Sequence, residues 1–314
     1  MKYSFSLGTT SCAPHLALWY WNEMCEMIGV CGYEGVEIPF QAWSFNGARG
    51  AAPICAAAIR SKYGSAGTYQ KFLQDCGISD GLSGLHITAG NILMSMLDEH
   101  VPSERFFDKT LDLAQETIEV LAEAGSKNLI FSPSAMFGMT MGIFHGSNIL
   151  ESFEDRIAET IIKMEEMAQK AGVQLSIRNE FYGLFRGLLI DSLMGKLPES
   201  ILYSPDLAQL YIAGVDPVSM IRKYVGRLGN IKMGDTKFID YKGVYSTPLP
   251  EYPQDGMQQR VYSTFGKGDV DLKGSYNALK EAGYDDWIVM ESKEAFQVEK
   301  TMMQMQIIKR KLFI

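Results

Sequence analysis

Short apolar runs alternate with longer segments of helical period along the whole chain. Runs such as "GVEIP" (35–39) have the length and the branched side chains typical of buried strands. Segments such as "PSERFFDKTLDLAQETIEVLAEAG" place apolar residues every three or four positions and end in glycine, as amphipathic helices do. The pattern predicts strands at 3–10, 35–39, 84–93, 127–134, 173–180, 201–206, 230–235 and 287–292.

Eight strand–helix units in 314 residues predict a (β/α)₈ TIM barrel that forms a single domain over residues 1–314. The alternative is an open doubly wound sheet, which needs a glycine-rich phosphate loop after strand one, and "GTTSCAP" is not such a loop. Long segments follow strands two, four and seven, at 40–60, 135–147 and 237–267. Loops after strands lie on the catalytic face of a barrel, so we expect 237–267 to act as a lid.

Composition excludes several classes of partner. The chain is 46% hydrophobic with a net charge of -8, and its basic residues are scattered, which argues against nucleic-acid binding. No apolar run reaches membrane-spanning length. The five cysteines form no CxxC pair and indicate free thiols in a reducing cytoplasm. The four histidines are far apart in the chain, which argues against a histidine-rich metal cluster.

Polar residues at the carboxyl ends of barrel strands are the candidates for chemistry. Any one of them could belong to a structural ion pair, but their recurrence at equivalent positions favours a site. They are Glu37, His86, Arg178, Glu180, Asp206, Lys232, Asp235 and Glu291. His145 lies in a methionine- and glycine-rich loop after strand four, where it is either a solvated side chain or a general acid or base.

Several motifs resemble those of the xylose isomerase-like barrels. They are "GYEGVEIP", "SPDLAQLYIAGVDP", "RLGNIKMGDTK" and "GKGDVDLKGSYNALKEAGYDDWIVME". The chain is most similar to the sugar phosphate isomerase/epimerase group, which includes tagatose and psicose 3-epimerases and inosose dehydratases. The resemblance covers nearly the whole chain and implies the same TIM-barrel fold.

The resemblance also implies a divalent metal site, Mn or Mg, with Glu, Asp, His and Glu from strands five to eight. Asp206 and Glu291 match this pattern, but Lys232 stands at the histidine position and Arg178 at the strand-five glutamate position. Gln209 replaces a substrate-binding histidine.

Two interpretations of this divergent site follow. In the first, which we favour, Lys232 and Arg178 replace the metal and no cofactor is tightly bound, because a protonated ammonium cannot bind a metal. Lys232 would then pair with Asp206. In the second, Glu180 joins Asp206 and Glu291 in holding Mn or Mg.

Three functions are compatible with these residues. The first is an isomerase or epimerase that abstracts a proton beside the carbonyl of a keto-sugar or cyclitol. In this hypothesis Glu180 and Glu291 are the bases, and Lys232 and Arg178 polarise the carbonyl. The remaining polar groups would bind substrate, namely Glu37, His86, Gln209 and Asp235.

The second function is the large subunit of a C-glycoside deglycosidase, a 3-keto-glycoside lyase that needs a small partner subunit and in which His145 would be the base. The third is a catalytically degenerate barrel that binds sugar. The family habit also predicts a homo-oligomer.

Overall fold

The computed structural model describes most of the chain. The described residues are 1–9, 18–41, 54–136, 138–140, 149–246, 261–293, 295 and 297–313. His145 and residues 247–260 of the predicted lid lie outside them.

Eight strands form one parallel sheet. Their bounds are β1 Lys2–Ser6, β2 Gly35–Pro39, β3 Gly81–Thr88, β4 Asn128–Ser132, β5 Gln174–Ile177, β6 Leu202–Tyr203, β7 Ile231–Met233 and β8 Trp287–Met290. The order across the sheet is β6-β5-β4-β3-β2-β1-β8-β7, so consecutive strands are neighbours and β8 returns to β1. The predicted TIM-barrel fold is therefore confirmed.

The sheet closes between β6 and β7 through two isolated parallel bridges. They join Tyr203 to Leu228 and Asp206 to Lys232. The backbone N–H of Tyr203 donates to the carbonyl of Arg227 at 2.8 Å, and that of Lys232 donates to Pro205 at 2.9 Å. Because β6 and β7 are only two and three residues long, this closure is the shortest run of pairing in the barrel.

Helices surround the sheet. Their bounds are α1 Leu18–Val30, α2 Ala56–Tyr63, α3 Ala66–Asp75, α4 Ala89–Asp98, α5 Phe106–Ala124, α6 Ile149–Lys170, α7 Ile190–Lys196, α8 Leu207–Ile212, α9 Pro217–Lys223, α10 Leu272–Glu281 and α11 Val298–Phe313. Short 3-10 turns occupy Leu7–Thr9, Ser103–Arg105, Gly187–Leu189 and Val244–Ser246. None of the described helices is long and apolar enough to cross a membrane.

Three local predictions differ from the structure. The strand predicted over 84–93 ends at Thr88, whose hydroxyl accepts the backbone N–H of Asn91 at 3.1 Å and so begins a helix. Helix α2 begins within the segment 40–60 that was expected to be an extended loop. Helix α8 was not predicted, because six residues are too few for a helical period to show.

Polar side chains fill part of the barrel interior, where aliphatic layers are usual. Ser4, Ser83 and Ser204 are fully buried there. The side-chain amides of Asn128 and Asn230 both donate to the carbonyl of Ser83, at 2.8 and 3.1 Å. Asn230 comes from the opposite side of the barrel, so this contact crosses the interior. The charged groups near the strand ends therefore lie above a layer of polar side chains.

Candidate active site

Besides Asp235, which anchors a loop, seven charged or titratable side chains among the described residues lie buried at the carboxyl ends of the strands. They are Glu37, His86, Arg178, Glu180, Asp206, Lys232 and Glu291, each less than a tenth exposed. Burial on this scale requires that each charge have a partner, because an isolated buried ion is strongly unfavourable. The contacts among them divide the group into an ion-pair cluster and a hydrogen-bonded chain.

Arg178 and Glu37 form a bidentate ion pair across the barrel. Nη1 and Nη2 of Arg178 donate to the two carboxylate oxygens of Glu37 at 2.8 Å each, and Nε donates to the carbonyl of Ser204 at 3.3 Å. Burial would raise the pKa of Glu37, but Arg178 and Lys232 hold that pKa at about 2. Because its guanidinium is fully buried and satisfied, Arg178 is badly placed to polarise a substrate carbonyl.

Lys232 lies between two glutamates. Its Nζ is 2.8 Å from Oε1 of Glu37 and 3.0 Å from Oε1 of Glu291, and it donates to the hydroxyl of Ser6 at 3.4 Å. The prediction that Lys232 pairs with Asp206 is therefore wrong at the level of side chains. The two residues are joined by a backbone bridge, and strand geometry directs the ammonium toward β1, β2 and β8 instead.

Glu291 contacts both lysines of the site and a serine hydroxyl. Oε1 accepts the hydroxyl of Ser6 at 2.8 Å in addition to Lys232, and Oε2 lies 3.6 Å from Nζ of Lys293. Burial opposes ionisation, but Lys232 and Lys293 hold the pKa of Glu291 at about 2. A carboxylate with so low a pKa is a weak base.

A second set of contacts surrounds Glu180. Ser132 donates to Oε1 of Glu180 at 3.1 Å and accepts from Nε2 of His86 at 2.8 Å, which places the imidazole proton on Nε2. The side-chain amide of Gln209 donates to Oε2 of Glu180. Burial and then the charges of Arg178 and Lys232 hold the pKa of His86 well below its usual range, so this histidine is neutral.

Gln209 is oriented by backbone groups. Its Oε1 accepts the N–H of Phe181 at 2.8 Å, which directs the amide nitrogen to Glu180. His86 and Gln209 were predicted to bind substrate, and in the structure both face Glu180 or its hydroxyl partner. They determine which way the Glu180 carboxylate points.

Asp206 caps helix α8. Its Oδ1 accepts the backbone N–H of Gln209 at 3.1 Å, and its own N–H donates to Oδ1 of Asn179 at 3.2 Å. Burial raises the pKa of Asp206 to about 6; Lys293 and Lys232 oppose that rise, and Glu291 and Glu180 add to it. A pKa of about 6 lets the Asp206 carboxyl group change charge close to neutral pH.

Asp235 anchors a loop. Its carboxylate accepts backbone N–H groups from Thr236 at 2.9 Å, Gly268 at 2.8 Å and Val270 at 3.3 Å. A β-carbon at Gly268 would lie 2.1 Å from Oδ1 of Asp235, so this approach requires glycine. Asp235 was predicted to bind substrate, and the contacts show it holding the returning end of the 237–267 segment against β7.

Lys293 was missed by the sequence analysis. It follows Glu291 by two residues, so the period-two rule applied one step beyond strand eight would have found it. Its Nζ lies 5.0 Å from the ring centroid of Tyr262, and its side chain is about a quarter exposed. Burial acts to lower the pKa of Lys293, but Glu291, Tyr262, Glu180 and Asp206 raise it well above the usual value.

Two serines were also missed. Ser6 ends β1 and Ser132 ends β4, at the positions that the other site residues take on their own strands. A small hydroxyl gives no charge signal in a sequence, so neither serine stands out from the pattern of residues alone.

The residues present do not fit a divalent metal ion. Within the described ranges, no three His, Cys, Asp or Glu side chains converge as ligands. Both oxygens of Glu180 and Oε1 of Glu291 already accept hydrogen bonds, and Lys232 occupies the space between Glu37 and Glu291. A metal would have to displace several of these donors at once.

A family comparison decides the evolutionary assignment. The family model described as xylose isomerase-like TIM barrel matches residues 30–308. The chain belongs to this family. The resemblance stated from the motifs is therefore confirmed.

Individual relatives of the xylose isomerase-like family add detail. An inosose dehydratase of Lacticaseibacillus casei is 25% identical over 148 residues, which are 45% of this chain and 47% of that protein. The chain thus spans about half the length of this curated relative. The structure of an L-ribulose 3-epimerase superposes with a TM-score of 0.69 at 15% identity, covering 100% of this chain and 95% of that one.

A third relative carries a metal. The crystal structure of the IOLI protein with a binding zinc atom superposes with a TM-score of 0.68 at 13% identity, covering 100% of this chain and 98% of that one. At such identities the likeness of the two structures shows the shared fold alone. A protein of this fold can therefore hold zinc, as that one does.

Proposed function

We propose that this protein is an enzyme that moves a proton beside the carbonyl group of a keto-sugar or keto-cyclitol. The observation that carries the proposal is the placement of three carboxylates around the Lys293 ammonium: Oε2 of Glu291 lies 3.6 Å from Nζ of Lys293, and Gln209 hydrogen-bonds both Asp206 and Glu180. Proton transfer beside a carbonyl needs a carboxylate to take the proton and a positive group near the oxygen that becomes negative. The names of the matched relatives, inosose dehydratase and L-ribulose 3-epimerase, support this substrate class.

The roles of the carboxylates follow from their environments. Asp206 is the proposed proton acceptor and donor, because its pKa of about 6 lies near neutral pH. Glu180 is the second carboxylate, and His86, Ser132 and Gln209 orient it. Glu291, which the sequence analysis proposed as a base, instead holds Lys232 and Lys293 in place.

The chemistry needs no oxidant. A proton passes from the carbon beside the carbonyl to the carboxylate, and the electron pair of the C–H bond moves toward the carbonyl oxygen to form an enediolate. Return of the proton to the other face gives the epimer. Loss of a β-hydroxyl group, which leaves as water, gives the dehydrated product.

Deuterium exchange tests the proposal whichever product the enzyme forms. The wild-type protein is incubated in D₂O with inosose, D-allulose and L-ribulose, and ¹H NMR follows the loss of the signal beside the carbonyl. We expect exchange with at least one of these compounds, and a fall of about 10²-fold or more in Asp206→Asn.

The control for this assay is Asp112→Asn, which changes an exposed carboxylate on helix α5 and should leave the exchange rate unchanged. Absence of exchange with all three compounds would count against proton transfer. Saturable binding without exchange would instead favour a sugar-binding barrel. The expected homo-oligomer, the small partner subunit and a role for His145 remain predictions.

A further inference from the structure

The enediolate oxygen in the proposed reaction needs a positive partner, and three cations of the described residues lie near the barrel mouth. Arg178 is fully buried, and each of its three side-chain nitrogens donates to Glu37 or to the Ser204 carbonyl. Lys232 is nearly as buried and donates to Glu37, Glu291 and Ser6. An ammonium has three donors, so Lys232 has none left for a substrate.

Lys293 differs from both. Across the described residues, its ammonium has one ion pair, to Oε2 of Glu291 at 3.6 Å, which is longer than a hydrogen bond. It also lies over the ring of Tyr262, which itself is only partly buried. Its side chain is the most exposed of the three, so Lys293 can still donate hydrogen bonds toward the mouth.

The same contacts leave little room for a metal. Among Glu180, Asp206 and Glu291, only Asp206 keeps an oxygen, Oδ2, without a donor or an ion-pair partner from the described residues. A divalent ion near Asp206 would also stand close to the positive charges of Lys232 and Lys293. Both ammonium groups act electrostatically on Asp206 and would repel such an ion.

We infer that Lys293 supplies, in place of a divalent metal, the positive charge that binds the substrate's carbonyl oxygen in this chain. This inference rests on the proposed function, because it names the group that stabilises the enediolate. Lys232 and Arg178 have a different role, because they neutralise the buried carboxylates of Glu37 and Glu291. They thereby support the site in which Lys293 lies. In the reaction, the Lys293 ammonium keeps its proton and donates a hydrogen bond to the oxygen as negative charge develops there.

Metal titration tests, without any turnover, the claim that no divalent metal binds at this site. Purified protein is stripped with EDTA, and Mn²⁺ binding is followed by electron paramagnetic resonance. We expect no saturable binding to the wild-type protein at about millimolar Mn²⁺, which corresponds to about 4 kcal/mol of binding free energy. One equivalent of Mn²⁺ bound by the wild type, and lost in Asp206→Asn, would overturn the inference even if the proposed function failed.

Substitution of Lys293 tests the claim that its ammonium binds the carbonyl oxygen. The readout is the deuterium-exchange assay. We expect Lys293→Met to lower the exchange rate by about 10²- to 10³-fold, and Lys293→Arg to restore part of it. EDTA should leave the wild-type rate unchanged. The matched control is Lys300→Met, which removes an exposed ammonium from helix α11 and should leave the rate unchanged.

Unchanged exchange in Lys293→Met would show that another group binds the oxygen, while the proposed proton transfer would stand. Stimulation of the EDTA-treated protein by Mn²⁺ would restore the metal interpretation. Thermal melting of each variant separates loss of folding from loss of chemistry.

Discussion

At the scale of single residues, Lys232 is buried because two carboxylates and a hydroxyl meet its ammonium. Glu37 and Glu291 come from strands on either side of β1, and both lie within 3.0 Å of Nζ. Such an arrangement costs desolvation energy and recovers it only while all partners are present. Removing one partner should therefore be more harmful than removing two together.

We expect Lys232→Met to lower the free energy of unfolding by about 3 to 5 kcal/mol, because Glu37 and Glu291 lose a shared cation. The double variant Lys232→Met with Glu291→Gln should recover about 0.5 to 3 kcal/mol of that loss as interaction energy. Urea denaturation measures both values. Lys273→Met, an exposed change on helix α10, is the control, and a single variant as stable as this control would contradict the expectation.

Asp206 gives a pH-dependent prediction. Its pKa is about 6 in the folded protein against an ordinary 3.8, so the folded state binds this proton more tightly than the unfolded chain does. Tighter binding of this proton stabilises the folded state fully below pH 3.8, and this contribution is lost as the pH rises to about 6. The groups that face Asp206 and share in this balance are Lys293, Glu291, Lys232 and Glu180.

Asp206→Asn removes the titration but keeps an oxygen to cap helix α8. Relative to the wild type, this variant should gain about 3 kcal/mol of stability between pH 4 and pH 7, as two pKa units convert at 1.36 kcal/mol each. Chemical denaturation across this pH range measures the difference. A difference that does not change with pH would show that Asp206 has an ordinary pKa.

At the scale of elements, the closure between β6 and β7 depends on Arg227. Its guanidinium donates to four carbonyls, those of Ile201, Met194, Leu197 and Pro198, at distances from 2.7 to 3.1 Å. These contacts tie the end of helix α7 and the segment before β6 to the segment before β7. The Arg227 side chain thus provides connections between these segments that the very short strands β6 and β7 cannot provide.

We expect Arg227→Met to lower the free energy of unfolding by about 2 to 4 kcal/mol, because three partly buried carbonyls and an exposed one lose a charged donor. Arg222→Met is the matched control. Arg222 forms a long, exposed ion pair of 3.7 Å with Glu281, so its loss should change stability by less than about 0.5 kcal/mol. Equal effects of the two substitutions in urea denaturation would show that the Arg227 contacts add nothing to the stability of barrel closure.

At the scale of the whole molecule, one contiguous core joins the first strand to the last helix. The cluster of buried apolar residues runs from Phe5 to Phe313 and includes members from every layer of helices and strands. Because each strand pairs with two neighbours around the ring, the described part of the chain shows no boundary at which part of the barrel could unfold alone.

We therefore expect a single cooperative unfolding transition, which is the behaviour predicted for one domain over residues 1–314. Far-UV circular dichroism and tryptophan fluorescence should give coincident urea curves. Two separated transitions would divide the chain into independent units and would contradict the single-domain prediction.

The alternation of strands and helices follows from local sequence, which is why the barrel could be predicted. Apolar runs and helical periods are encoded by neighbouring residues, and eight strand–helix units leave few ways to form a sheet. The candidate residues at the strand ends follow from the same logic. Helix α8 escaped because six residues show no helical period, whereas β6 was predicted over 201–206 and is found at Leu202–Tyr203.

The partners of the charged groups were decided by tertiary structure alone. Lys232 faces Glu37 and Glu291 and not Asp206, because the closed barrel turns its side chain toward β1, β2 and β8. Whether a strand-end carboxylate is a weak base, as Glu291 is, or titrates near neutral pH, as Asp206 does, depends on burial and on charges brought from distant strands. Local sequence specifies which groups are available, and the closed barrel determines which of them meet.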